Sequence, residues 1–484
     1  MKTTRINVNN KMNLKKSKRF QSAKIIISEL IMVLVVAITV VVLAFIVSGY
    51  WLNADFEVER QGMLQISSTP TGARISIDQE PLSWLSVTNT SKVLSSGEHT
   101  ILLTKDGYDT WSKTVNISEG LLYRLHYPRL FLLNRSAEPV LDIGATNRIV
   151  VSPDHTRAVL ANNTSEWSLV ELGSESLKQS MLDISNLFPG ITVNEDTHKG
   201  LFSGEIINAN WDSAGSHLLL KIKIADIVEW VILDVDNPDR SINISKEFGA
   251  DFDHIEILDR SANHLLAIRN HNLHRIDLSN KSVSAVLVEN IITFDHLGNE
   301  IIFSAQYDIN SSEPEGYYIG SLKGDNEISE LKQFAMPIKV VVNKFYEDTY
   351  ITALSGNNVV IFQYDGKGCK ENLHQTLSFS PDQIKVGYHG EFIIFSRDNT
   401  IATLDMESNS VREWATDGEN FGWLDSDMIY SVHDASIIVY DYDGLNRRVL
   451  SHNVSMHYPV TITDDKWMYY VSDGVLIREW LVER

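Results

Sequence analysis

The longest apolar run in the chain is Ile25 to Val47, twenty-three residues that hold one charged side chain, Glu29, close to the start. As a helix such a run reaches about 35 Å, enough to cross a hydrocarbon layer of about 30 Å, so the pattern predicts a membrane-spanning helix over 25–48. Beyond it the pattern changes from continuous to alternating. Leu64 and Ile66, Ile75 and Ile77, Ile101 and Leu103, and Val115 and Ile117 recur two apart inside short runs, as in half-buried strands. From Arg148 onward a third pattern begins, a β-prone apolar run, a turn, a second run, another turn and a third run. The first copy reads Ile149-Val150-Val151, then Ser152 to Thr156 as a turn, Ala158 to Ala161, and Trp167 to Val170. The second holds Trp211 to Gly215, Leu218 to Leu220 and Trp230 to Leu233. Later copies centre on Leu265 to Ile268, Ile301 to Phe303, Tyr350 to Ala353, Phe392 to Phe395, Met428 to Ser431 and Trp467 to Tyr470. Eight copies spaced roughly 35 to 60 residues apart fit the blades of a β-propeller; merging two weak copies gives seven, and eight is preferred.

The alternating region predicts a small β-sandwich over 61–125, after a linker over 49–60. Pro70-Thr71-Gly72 is read as a tight hairpin turn, Ser96-Gly97 and Asp106-Gly107 as two more, and Trp84, Tyr108 and Trp111 as the large side chains of its core. The stretch near Leu177 to Leu187 is read as the one short helix among the repeats. The fold class expected is therefore all-β behind a single transmembrane helix, with the propeller filling 126–484.

Two resemblances follow from these residues. Ser68-Thr69-Pro70-Thr71-Gly72-Ala73-Arg74-Ile75 resembles the Pro-Glu-Gly-Ala turn of the PEGA domain, a module of bacterial and archaeal envelope proteins. Gly62, Asp78, Gly97-Glu98-His99 and Lys105-Asp106-Gly107-Tyr108 continue the match in order, whereas Thr71 replaces the Glu and no Gly-x-Thr-Pro segment lies between Asp78 and Gly97. That resemblance implies a non-enzymatic envelope module and no catalytic residue. Ser152-Pro153-Asp154 and Trp211-Asp212-Ser213-Ala214-Gly215 are similar to the start of TolB-type or WD-type blade repeats.

Charge then orients the chain. Eight of the 42 basic residues, and none of the 63 acids, lie in the first 24 positions. The positive-inside rule places that tail in the cytoplasm and everything after the helix outside. The acidic exterior argues against nucleic acid as a partner, since phosphate backbones need clustered Lys and Arg. Cys369 is the sole cysteine, so no intrachain disulfide forms and the thiol is expected to be structural or incidental. Asn-x-Ser/Thr sequons recur, as at Asn89, Asn116, Asn163, Asn243 and Asn453.

Three constellations invite a chemical reading. Asp234 to Asp239 resembles the opening of a calcium loop, but Pro238 occupies a ligand position, which favours a plain turn. His264, His271 and His274 crowd one copy, yet residues three apart on a strand face opposite ways, against a shared metal. Tyr440 to Gly444 has the composition of a sugar site and equally of a β turn. With no nucleophile elbow, no helical H-E-x-x-H motif and no phosphate loop, no catalytic, metal or cofactor residue is assigned.

The function expected is a membrane-anchored extracytoplasmic binding or scaffolding protein of the cell envelope, whose partner is an envelope protein or a cell-wall polysaccharide. The alternative is a propeller enzyme acting on polysaccharide, which requires inward carboxylates converging at one mouth of the channel. The last copy ends one strand short, and Glu138 to Ile143 is a β-prone run without a copy of its own. Pairing the two predicts a ring closed by its own ends.

Overall fold

The computed structural model describes residues 29–44, 50–52 and 58–483, apart from 83–86, 145, 164–165, 174–176, 188–191, 194–199, 202–203, 225, 260, 309–314 and 419. The chain divides into two compact units, Met1–Leu130 and Phe131–Arg484. Residues 29–44 form a helix whose side chains are all exposed, from Val42 at 49% to Val41 at 65% among the large apolar ones. Within it Thr39 returns its hydroxyl to Val35 O at 2.8 Å, which satisfies that polar group inside an apolar run. The rest of the predicted span and the basic tail lie outside the described residues, and no described helix is long and apolar enough to cross a membrane.

Eight strands build the remainder of the first unit: β1 (Tyr50–Leu52), β2 (Val58–Ile66), β3 (Arg74–Ile77), β4 (Glu80–Pro81), β5 (Thr90–Ser95), β6 (Gly97–Thr104), β7 (Trp111–Ile117) and β8 (Leu122–Leu125). One sheet gathers β1, β2, β5 and β8, the other runs β4-β3-β6-β7. Alternation decides which face each buries. In β7, Trp111, Lys113, Val115 and Ile117 point inward and the residues between them outward. Lys113 is tolerated there because its ammonium donates to Tyr127 Oη at 2.7 Å and lies over the same ring.

The Pro70-Thr71-Gly72 turn differs from the hairpin expected, because β2 and β3 lie in different sheets and the turn arches from one to the other. Thr88, 3% exposed, latches the arch. Its hydroxyl oxygen accepts from Gly72 N at 3.0 Å and Ala73 N at 3.1 Å, and Ser68 Oγ donates to it at 2.8 Å. The motif residues Asp78 and His99 meet as well. Asp78 Oδ2 lies 2.6 Å from His99 Nδ1 while Oδ1 accepts from Thr100 N at 2.8 Å, so the start of β6 is tied to the end of β3. Tyr108 and Trp111 are core residues as expected; Trp84 lies outside the described residues.

Among its described residues the second unit holds eight four-stranded sheets, successive along the sequence, and one two-stranded ribbon, Thr192–Val193 with Gly200–Leu201. Each predicted repeat centre is the second strand of one sheet, from Arg157–Asn162 in the first to Trp467–Ser472 in the last. These strands are mostly apolar because both their faces are covered, with buried polar exceptions such as Ser304, Thr352 and Ser431. Leu218 and Leu220 join Val159 in the core between sheets 1 and 2, while Leu219 joins Leu265 between sheets 2 and 3. The same alternation runs through Leu266 with Ile301, Ile302 with Ile351, Leu354 with Ile393, Ile394 with Ile429 and Tyr430 with Met468. Tyr469 of the last sheet then packs with Ala158 of the first. The stack closes on itself: eight blades form a ring.

Closure is made as predicted from the chain ends. Strand β9 (Ala137–Asp142) is the fourth strand of the last blade and pairs antiparallel with Val475–Trp480, Leu141 opposite Leu476. An otherwise bare strand edge is thereby covered. One expectation fails in the first blade, where Lys178–Asp183 is a strand rather than part of a helix, with Leu182 buried opposite Trp167. As an outer strand it has four exposed side chains in a row, so no period of two reaches the sequence.

Candidate ligand site in the propeller channel

The fourth strands are largely exposed, as in Glu327–Phe334 and Cys369–Thr376; the first strands are the inner ones and line the channel. Their register can be fixed from the ladder between second and third strands, whose first rungs are Arg157–Glu171, His217–Asp234, His264–Asp277, Glu300–Lys323 and Phe392–Asp405 in blades 1, 2, 3, 4 and 6. Opposite the third rung stand Val150, Asn210, Glu256, Asp295 and Lys385. Opposite the fifth stand Arg148, Asn208, His254, Thr293 and Gln383. A strand turns alternate side chains to one side, so these are two tiers; in these five blades all but Val150 are polar, while blade 7 places Gly422 at the upper one. The residues between them, such as Ile255 and Phe294, are buried in the blade cores.

A cavity of about 920 Å³ is lined by the upper tier, with Val150, Asn210, Glu256, Asp295 and His296 on its wall. A second, of about 690 Å³, is lined by His254, Glu256, Thr293, Asp295, Lys339 and Val341 among others. Glu256 and Asp295 border both and form the waist between them. Glu256 Oε1 lies 2.8 Å from His254 Nε2. Asp295 accepts from His296 N through Oδ1 and from Val342 N of the next blade through Oδ2, both at 2.7 Å. Burial, and then the negative charge of Glu256, push the Asp295 carboxyl up to about 6, against the pull of those backbone donors. Lys385 stands at the same tier on blade 6, two blades on from Asp295, its ammonium 5.6 Å from the centre of the Phe421 ring; water reaches it, yet the surrounding protein lowers its pKa by burial.

The constellations flagged in the sequence lie elsewhere. Asp234 closes a turn, its Oδ1 accepting from Asp236 N and Asn237 N at 3.1 and 2.8 Å, and Asp236 pairs with Arg157 at 2.9 Å. His264 is held by Asp259 at 2.5 Å, and His274 Nδ1 lies 3.1 Å from Ser284 O. His271 occupies a turn, φ 62, at the edge of the second cavity; the three do not converge. Tyr440 and Tyr442 are buried, bonded to Asp417 at 2.6 Å and Asp405 at 3.0 Å, and Tyr442 stacks on Phe392 at 3.8 Å. That segment therefore joins blades 6 and 7. Cys369 packs against the core between blades 4 and 5, and burial raises its thiol pKa. Among the sequons Asn243 is 7% exposed and donates to Glu229 and Leu187 O, both at 2.7 Å, so it cannot carry a glycan.

Sequence reading missed the channel residues because it anchored each copy on its second strand. The signal was the alternation His254-Ile255-Glu256-Ile257 and Thr293-Phe294-Asp295 in the run preceding each centre.

Geometry thus defines the class as a β-sandwich module followed by an eight-bladed β-propeller. The PEGA domain family matches residues 61–128, in agreement with the turn motif. No curated protein matches the sequence. Among solved structures the chain is similar to an oligogalacturonate lyase in complex with manganese, at 10% identity and TM-score 0.40 over 72% of this chain and 98% of that one. It is similar also to dipeptidyl peptidase 4 of Porphyromonas gingivalis, at 11% and 0.44 over 70% and 58%. PorZ, a surface component of the type-IX secretion system of the same bacterium, aligns at 12% and 0.39 over 69% and 42%. At these values nothing about function follows.

Proposed function

We propose that the chain is a single-pass, membrane-anchored binding protein of the cell envelope, with its tail in the cytoplasm and its two β units outside. It holds an envelope protein or a wall polysaccharide through the propeller. The observation that carries this is the channel wall, two tiers of largely polar side chains on five of the eight blades of a ring whose blade interiors are mostly apolar; a ring serving only as a spacer has no use for them. The helix at 29–44, apolar and exposed on every side, supports the anchor, and the eight basic residues before it support the orientation. Protease added to intact cells with the outer barrier opened should digest both β units and spare a small anchored fragment; digestion only after lysis overturns the topology. For the binding itself, the detergent-solubilised full chain should co-sediment with isolated wall sacculi or cross-link to an envelope protein in cells. Neither occurring rejects the reading.

The enzyme alternative gains one specific observation, the convergence of Glu256 and Asp295 at the waist with one carboxyl raised to about 6, as a general acid needs. Both Asp295 oxygens already accept backbone hydrogens, which leaves binding the better-supported use. Release of reducing ends from wall polysaccharide, abolished in Asp295→Asn, would reverse that ranking.

A further inference from the structure

We propose that the waist of the propeller channel binds the protonated amine of its ligand, an alkylammonium group such as a lysine-like side chain or the amino group of an amino sugar. This rests on the binding reading and names the chemistry its ligand must carry.

Three features converge. The first is position. Glu256 and Asp295 border both cavities, so a ligand occupying either one meets this pair, and Asn210 continues the wall at the same tier on the neighbouring blade. The second is the missing countercharge. Among the described ion pairs Glu256 meets only His254, and Asp295 is held by backbone hydrogens alone; neither carboxylate has a lysine or arginine partner. A partly buried carboxylate without a counter-ion is costly and holds its proton more readily than a free one, the direction in which Asp295 is driven. An ammonium group at the waist supplies the absent charge and donates three hydrogens to Glu256, Asp295 and the Asn210 amide oxygen.

The third feature is a cation farther round the same tier. Lys385 occupies the same tier on blade 6, its side chain over Phe421 and no carboxylate among its described partners. Two carboxylates on blades 3 and 4 and an ammonium on blade 6 share one level without neutralising each other. The channel therefore presents opposite charges on separate arcs of one tier, the ammonium two blades on from Asp295. An anionic sugar would meet the acid pair with repulsion, and a neutral sugar would leave its charge uncompensated. A ligand with an amine satisfies the acid wall, and one that bears a carboxylate as well satisfies Lys385 too.

The test uses the full chain in detergent and calorimetric titration with two probe pairs. One is a glucosamine tetramer and its fully N-acetylated form; the other is the peptide Ala-Lys-Ala and the same peptide acetylated at both amines. The amine form of at least one pair should bind, its acetylated partner should bind about tenfold more weakly or not at all, and which pair responds tells an amino sugar from a peptide source. Glu256→Gln and Asn210→Ala should each weaken the binding, Glu256→Gln by about tenfold, with the melting temperature unchanged. Equal affinity for free and acetylated forms sinks the inference, as does failure of both amine probes to bind. If the wild-type chain still co-sediments with sacculi in that case, the binding reading survives without it; if co-sedimentation fails as well, both fall. The probe comparison on the wild-type chain decides the matter even if a variant does not fold.

Discussion

Arg135 donates through Nε to Glu479 Oε1 at 2.6 Å across 344 residues of sequence. Its other nitrogens are bound as well, Nη1 to Leu132 O at 2.6 Å and Nη2 to Leu450 O, while Glu479 Oε2 accepts from Ser451 Oγ at 2.5 Å. The pair is largely buried, with side-chain exposures of 15% and 5%. It lies next to β9 and ties the start of the propeller unit to blades 7 and 8. Removing one member of such a pair strands the other, so Arg135→Ala and Glu479→Ala should each lose about 3 kcal/mol in urea unfolding. The double variant should lose less than the sum.

Closure by β9 sets a second expectation. Deleting Ala137–Asp142, or ending the chain at Asp465, removes strands from the last blade and exposes apolar edges on both sides of the seam. The cooperative thermal transition of the propeller should be lost in either variant, read by calorimetry. A variant that melts like the parent would show that the ring needs no seal.

The turn histidines give a pH dependence. Hydrogen bonding to Asp212 at 3.1 Å raises the pKa of His217 above 6.5, against burial, and Asp234 adds to the rise from 3.9 Å. A folded-state pKa above the unfolded one means that the stabilisation is complete below about 6.5 and fades as pH rises through the folded value. His217→Gln should therefore destabilise more at pH 5.5 than at pH 8 in paired urea titrations. Asp212 itself runs the other way. Burial pushes it up, but the His217 and backbone donors prevail and lower it, so its contribution is lost only as pH falls below the ordinary carboxylate range.

Amine binding at the waist should strengthen as pH rises from 5 to 7, because Asp295 must be ionised to serve a cation and its carboxyl sits near 6. The charged and titratable groups that line the two cavities with it are Asp212 from blade 2, Asp253, His254, Glu256, Asp259 and His271 from blade 3, His296 on its own strand and Lys339 on blade 5. With a lysine side chain as the amine, which stays protonated throughout this range, calorimetry in buffers of different ionisation heat should detect a proton released on binding at pH 5.5 and none at pH 8.

Gly390 tests the seam between blades 5 and 6. Its φ is +73, and a Cβ there would overlap the backbone carbonyl of Lys344, while its own carbonyl accepts from Asn343 Nδ2 at 2.8 Å. Gly390→Ala should cost about 2 kcal/mol in urea unfolding, because backbone cannot step aside as a side chain can.

The parts of this fold that showed in the sequence are those buried on two faces. Leu218 to Leu220 and Phe392 to Phe395 read as strands because each side chain in turn meets a different neighbouring blade. The outer strands did not show, since Lys178–Asp183 and Glu327–Phe334 bury little and so keep no period. The sandwich turn was located but its geometry was not, because what distinguishes a hairpin from an arch is Thr88, some sixteen residues away from Gly72. The waist was silent for a similar reason. Glu256 and Asp295 come from different blades, and only the strand register brings them to one level.

The strand that completes the last blade comes from the opposite end of the repeats and is joined to the first blade by the short segment after Asp142. A cut in that segment leaves β9 seated, so the severed PEGA portion would stay bound to the ring as one complementing fragment. Two chains that open side by side can likewise trade this strand and close each other's ring. Refolding at high protein concentration should accordingly yield an exchanged dimer, and dilution before refolding the monomer.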